Sequence, residues 1–142
     1  RVKSSGTWGA WRQIYHKGNL LGTVSQSAGV PTGAVIETGS NVNGSYTKFA
    51  DGTMICAHNK SVTPASVISN FYGSTAGNIY NSGVDWYFAA TFITAPEVVC
   101  TGDNTFAQIA TAPTTTKVRL QAQEQASGTP VTIRAFAIGR WF

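Results

Sequence analysis

The chain has 142 residues, 10 basic and 6 acidic side chains, a net charge of +4 and 11% charged residues, which places it in the one-domain size range with enough length to bury a core. Hydrophobic residues at 42% and aromatics at 11% exclude the apolar-poor, highly charged profile of a disordered chain. The basic residues from Arg1 to Arg140 are scattered rather than gathered into a stripe, which argues against a nucleic-acid partner, and no run approaches the roughly 18 apolar residues of a membrane span.

Residues 1–23 scatter Trp8, Trp11 and Tyr15 among Gly, Ser and basic residues. One turn of amphipathic helix over Trp11–Tyr15 is conceivable, but Gly6, Gly9 and Gly18 leave room for no more. Tryptophans exposed on a lone monomer are costly, so this segment is expected to pack on a neighbouring chain or an upstream shaft. The chain opens at Arg1 with no methionine and no leader pattern, and a domain excised from a longer protein is expected. Residues 24–45, rich in Gly, Ser and Asn, read as a linker. Val30-Pro31-Thr32-Gly33 predicts a turn there, because Pro presets the second dihedral and Gly accepts a positive one.

Strand signals begin at Ser45. Tyr46–Ala50 and Thr53–His58 predict a hairpin across Asp51-Gly52, a pair suited to a type I′ turn. Residues 59–83 read as a long loop with at most one irregular strand. Val84–Phe92, Glu97–Thr101, Phe106–Ala110, Thr115–Gln123 and Val131–Trp141 then read as strands, with turns at Gly102-Asp103-Asn104 and Ser127-Gly128-Thr129-Pro130. In the fourth of these, Val118, Leu120 and Ala122 alternate with Lys117, Arg119 and Gln121. In the last, Ile133, Ala135 and Ala137 share one face while Arg134, Phe136, Ile138 and Arg140 share the other. Apolar residues on both faces predict a central strand, or one covered by a neighbouring subunit. Strands recurring about every ten residues, with turns between and no helical period, predict an all-β antiparallel sandwich.

The chemistry is sparse. Cys56 and Cys100 lack the spacing of a zinc or redox motif, and small apolar residues on buried strand faces are the favoured reading over a disulfide. Glycoside hydrolysis needs two carboxyl groups at a defined separation, yet Asp51 and Asp103 sit in turns, and Glu37, Asp85, Glu97 and Glu124 form no local pair. No nucleophile-elbow pattern occurs. His16 and His58 have no ligand-spaced neighbours, so no metal and no cofactor is expected, although three copies of one histidine on a symmetry axis could build an ion site that a single sequence does not display. Asn43 and Asn59 match the glycosylation acceptor pattern but read as turn residues. Sugar recognition uses aromatic plates with amide and carboxylate groups. By that chemistry the candidate receptor-binding residues are Asn70, Tyr72, Asn78, Tyr80 and Asn81 in the 70–82 stretch, with Asp103 and Asn104 in the 101–106 stretch. Phe71 and Phe106 read as core.

Gly39-Ser40-Asn41-Val42-Asn43-Gly44-Ser45-Tyr46, running on through Phe49-Ala50-Asp51-Gly52-Thr53-Met54-Ile55-Cys56, resembles the opening of the gp53-like C-terminal domain of phage and prophage tail fibres. Trp86-Tyr87-Phe88-Ala89-Ala90-Thr91-Phe92, with Pro96 and Val98 behind it, is similar to that family's strand pair, with Ala89 where the family has proline. The ending Ala137-Ile138-Gly139-Arg140-Trp141 looks like the family's terminus, and Trp8–His16 resembles the end of the knob-like repeat that precedes it. This resemblance, spanning Trp8 to Phe142, implies a connector over residues 1–38 and a lectin-like receptor-binding sandwich over 39–142. It implies a homotrimeric, non-catalytic fibre tip on the virion, made in the host cytoplasm, joined to an upstream shaft and docking to a bacterial surface glycan or outer-membrane receptor without membrane insertion. Trp8, Trp11, Tyr15, Phe136, Ile138 and Trp141 are the candidate trimer-interface residues. A structural trimerisation or shaft-capping domain is the alternative, and a capsule-degrading depolymerase the more distant one.

Overall fold

The computed structural model describes residues 3–4, 6–8, 14–68, 79–103, 105–125 and 127–142. Among the described residues every regular element is a β-strand, and all the strand pairings are antiparallel. Two short hairpins come first, β1 (Lys3–Ser4) with β2 (Thr7–Trp8) and β3 (Gln26–Ser27) with β4 (Val30–Pro31). The body is a sandwich of two sheets. One has five strands in the order β10 (Glu97–Gly102), β13 (Val131–Arg140), β7 (Thr53–Val62), β6 (Gly44–Phe49) and β5 (Ile36–Asn41). The other has four, in the order β11 (Phe106–Ile109), β12 (Lys117–Glu124), β9 (Ile79–Tyr87) and β8 (Ser66–Ile68).

The core follows from strand alternation. Met54 and Cys56 of β7, Ile133, Ala135 and Ala137 of β13 and Val98 of β10 face Trp86 of β9 and Val118, Leu120 and Ala122 of β12. Phe88 and Phe92, on the crossing from β9 to β10, close one end. Trp86, Phe88 and Phe92 stack edge to face with ring centroids 5.0 and 5.2 Å apart. Trp86 is fully buried, and its ring N–H donates to the Asn43 carbonyl at 2.9 Å.

The expected sandwich and the faces of β12 and β13 match the structure, but several local expectations do not. The predicted linker contains β3, β4 and β5, with β5 running across residues 38 and 39. Val30-Pro31 is strand, and the turn lies three residues earlier at Ala28-Gly29, both at positive φ (49° and 80°). Gly29 accepts that geometry freely, and the Gln26 side-chain oxygen holds its N–H at 2.7 Å. The Asp51-Gly52 hairpin exists, but with Gly52 alone at positive φ (+92°). A type I′ turn needs Asp51 there too; instead its carboxylate accepts the Thr53 N–H at 2.8 Å and the glycine closes the turn as a bulge.

The predicted loop over 59–83 is largely strand where it is described. β7 continues to Val62 because all ten of its residues pair with β13, from Thr53↔Arg140 to Val62↔Val131. Cross-strand partners decide the matter where Asn59-Lys60-Ser61 has little β-propensity of its own. β9 starts at Ile79 and stops at Tyr87, short of the predicted Phe92. The helical turn considered over Trp11–Tyr15 falls mostly outside the described residues.

Cys56 and Cys100 are free, on β7 and β10 with β13 between them. Two strand spacings of about 4.8 Å each put them near 10 Å apart, beyond disulfide reach. Burial pushes both thiols up from their ordinary pKa.

Candidate functional site

The three stretches with the most pattern in the sequence meet one another in space. The Asn41 amide donates to the Ala89 carbonyl at 3.0 Å, and Asn43 receives the Trp86 ring N–H. Trp141 donates its main-chain N–H to the Gly52 carbonyl at 3.0 Å and its ring N–H to the Phe49 carbonyl at 2.9 Å. Gly39 is required because a Cβ there would lie 2.5 Å from the Tyr46 ring. These residues build the fold.

The two outer faces differ in chemistry. On the five-stranded sheet, cross-strand rows bring Val99 beside Phe136 and Ala57, and Ile138 beside Ile55. Val99, Phe136 and Ile138 are 55%, 44% and 40% exposed. A shallow depression of 200 Å³ lies among Val99, Phe136, Ala57 and Arg134. Ser40, Ser45, Thr38 and Thr47 continue the same face across β5 and β6, without charge. The centre of this surface is apolar and hydroxyl-bearing, of the kind that marks an interaction site, and the exposed charges of Glu97, opposite Ile138, and of Arg134 and Arg140 lie on the same face.

The outer face of the four-stranded sheet is polar. Lys117 stands opposite Tyr87, and Arg119 opposite Asp85. The Lys117 ammonium donates to one Asp85 oxygen at 2.8 Å and Arg119 Nη1 to the other at 3.1 Å. Lys117, and after it Arg119, hold Asp85 below the usual carboxylate range against slight burial, and Asp85 in turn raises Lys117. Tyr87, half exposed, carries the Lys117 ammonium 5.3 Å from its ring centre. Further along, the Gln108 amide donates to the Gln121 side chain at 2.6 Å.

The sequence candidates are dispersed. Tyr80 and Asn81 lie within β9, not in a loop, and alternation sends them to opposite faces. Tyr80 is half-buried on the inner side between Val67 and Glu124, whereas Asn81 sits on the polar outer face between Ser66 and Gln123. Asp103 lies at the rim of the other sheet, where Arg134 forks onto its carboxylate at 2.7–3.2 Å and lowers its pKa. Asn70, Tyr72, Asn78 and Asn104, with Phe71, lie outside the described residues. Phe106, read as core, is 59% exposed, because its strand turns it outward opposite Gln123.

Of the interface candidates, Phe136 and Ile138 are on the apolar outer face. Tyr15 is exposed, Trp8 belongs to β2 and Trp11 lies outside the described residues. Trp141 is half-buried against its own chain. His16 is held in a turn, its Nδ1 accepting the Gly18 N–H at 3.1 Å, and burial followed by the Lys60 charge lowers the His58 pKa. Among the described residues no group of His, Cys, Asp and Glu has metal-binding geometry, and no helix is long and apolar enough to cross a membrane.

The Asp85, Tyr87, Lys117 and Arg119 cluster was not singled out from sequence. Alternation does place Lys117 with Arg119, and Asp85 with Tyr87 opposite Trp86. The missing information was that β9 and β12 are neighbours.

No protein-family model matches the chain, and no curated protein matches it. Among the solved structures that the chain matches are two pyocin fibre fragments. An N-truncated R1-type pyocin tail fibre is 17% identical, over 75% of this chain and 88% of that one, with a TM-score of 0.49. A C-terminal fragment of the P. aeruginosa R1 pyocin fibre is 14% identical, over 96% of this chain and 40% of that one, with a TM-score of 0.51. At this identity the likeness is one of fold.

Proposed function

We propose that this chain is the distal receptor-binding domain of a phage-type tail fibre, assembled as a homotrimer that adsorbs to a bacterial surface glycan such as lipopolysaccharide or capsule. The observation that carries the reading is a contrast between the outer faces, one with an exposed apolar centre at Val99, Phe136 and Ile138 bordered by Glu97, Arg134 and Arg140, the other with a polar cluster of Asp85, Lys117 and Arg119 beside Tyr87. The fold shared with the R1 pyocin fibre fragment over 96% of this chain supports a fibre setting. The resemblance of residues 39–56, 86–98 and 137–141 to the gp53-like domain of phage and prophage tail fibres points the same way. The segment ahead of β5 serves as the connector to the shaft, and the sandwich from β5 onward as the binding domain. Three copies turn weak sugar contacts into firm attachment through effective concentration.

Binding without hydrolysis fits the carboxylates. A glycosidase keeps one carboxyl protonated by raising its pKa, whereas the hydrogen bonds and cations around Glu37, Asp51, Asp85 and Asp103, four of the six acids, lower theirs. A shaft-capping domain would share the apolar face but would have no use for the polar one. The test is adsorption of the purified chain to bacterial cells, scored with its oligomeric state in solution. Retention on cells that bear surface polysaccharide supports the reading. A trimer that ignores every cell surface supports shaft capping instead, and release of reducing sugar ends would make the chain an enzyme.

A further inference from the structure

Beside Asp85 the polar face deepens into a cleft of 260 Å³, lined by Asp85, Thr111, Thr114, Lys117 and Arg119; Tyr87 is outside this lining, as the cross-strand neighbour of Lys117, whose ammonium lies over one face of its ring. The size is just below the roughly 300 Å³ at which small-ligand sites begin, which suits one sugar ring rather than an extended chain. The cleft wall is fixed. The Ala110 N–H bonds to the Arg119 carbonyl and the Thr114 N–H to the Lys117 carbonyl, both at 2.8 Å. The Thr114 hydroxyl donates to the same Lys117 carbonyl at 3.0 Å. From the core side, Phe88 and Phe92 donate their N–H groups to Thr116 and Thr115. A site held in this way loses little freedom on binding.

Two cations face a single carboxylate here, in a chain with 11% charged residues. Asp85 spends one bond on each cation, and Lys117 and Arg119 remain 41% and 49% exposed, with donors left over. Tyr87 offers a half-exposed aromatic plate for the apolar face of a sugar ring. We infer that this cleft is a subsite for an anionic monosaccharide unit, one carrying a carboxylate or phosphate, whose charge meets Arg119 and Lys117 while its ring lies toward Tyr87. The inference rests on the glycan-binding reading above and assigns that reading a place and a charge.

The experiment is a titration of the 142-residue chain with glucuronic acid, glucose 6-phosphate and glucose, followed by backbone amide shifts, beside binding to an array of acidic and neutral bacterial polysaccharides. Shifts at Asp85, Tyr87, Lys117, Arg119 and 111–114 are expected with one or both anionic sugars, and glucose is expected to be weaker. The two acids separate carboxylate from phosphate recognition. Arg119→Met is expected to weaken binding about tenfold or more, the size of a lost bond to a charged group. Lys117→Gln is the second variant should the first not fold. Array binding that survives both substitutions, or shifts that map elsewhere, overturns the subsite and leaves the receptor reading standing. Absence of binding to every glycan on the array overturns both.

Discussion

The Tyr46 hydroxyl donates a hydrogen bond of 2.9 Å to the Glu37 carboxylate, and through it the second sheet strand reaches the segment ahead of the first. The other Glu37 oxygen accepts the Val24 N–H at 2.9 Å, and Lys48 approaches at 3.5 Å while lying over the Trp141 ring. Burial alone would raise the Glu37 pKa, but Val24, Tyr46 and Lys48 together lower it. The native state therefore binds fewer protons here than the unfolded chain as pH falls below about 4.5. The stabilisation is present above that pH and is lost as pH drops through the lowered native value. Tyr46→Phe is expected to cost about 1–3 kcal/mol at neutral pH, measured by denaturant unfolding, and Glu37→Gln is expected to flatten the acid limb of the stability curve. An unchanged acid limb would mean that the carboxylate is not coupled to folding.

Trp141 closes the 49–52 turn with two donors. Trp141→Phe keeps most of the packing and removes the ring N–H bond to the Phe49 carbonyl, which still accepts the Gly52 N–H, at a cost of about 0.5–1.5 kcal/mol. Gly52→Ala places a Cβ against the Arg140 guanidinium at a φ of +92°, and about 1 kcal/mol or more should be lost. Thermal unfolding checks both, and a Gly52→Ala protein as stable as the parent would rule out this turn geometry.

The free cysteines lead to a plain expectation about redox conditions. With Cys56 and Cys100 separated by β13, reductant should leave the unfolding midpoint where it is, and native Cys56 should label far more slowly with a thiol reagent than in denaturant. A midpoint that falls by several degrees on reduction would reveal a disulfide and a different strand order.

The apolar face of β10, β13 and β7 should be covered by copies of the chain. Phe136→Glu puts a charge at its centre without touching the core, since Phe136 points away from Ala135 and Ala137. Sedimentation should show the parent as trimer and the variant as folded monomer. A monomeric parent would leave that face without the proposed partner.

Much of the architecture was legible in the sequence because burial writes a period of two. Val118, Leu120 and Ala122 are buried as their alternation demands, and Ile133, Ala135 and Ala137 likewise. What escaped was structure held by partners rather than by pattern. β5, with the sequence Ile36-Glu37-Thr38-Gly39-Ser40-Asn41, is an edge strand whose only β-formers are Ile36 and Thr38, and it exists because β6 pairs with it. The first half of β9 is masked in the same way, since Asn81, Ser82 and Gly83 look like a loop until β12 and β8 flank them. The candidate site suffered most. Tyr80 and Asn81 are adjacent in sequence yet face opposite ways, whereas Asp85 and Arg119 are far apart in sequence and in contact.

The most direct test of the central claim is retention of the purified chain on bacteria with intact surface polysaccharide, compared with the same cells stripped of it. The account predicts binding to the intact cells, loss of binding on stripping, and competition by the released polysaccharide. Equal retention on both kinds of cell, or on neither, would contradict it.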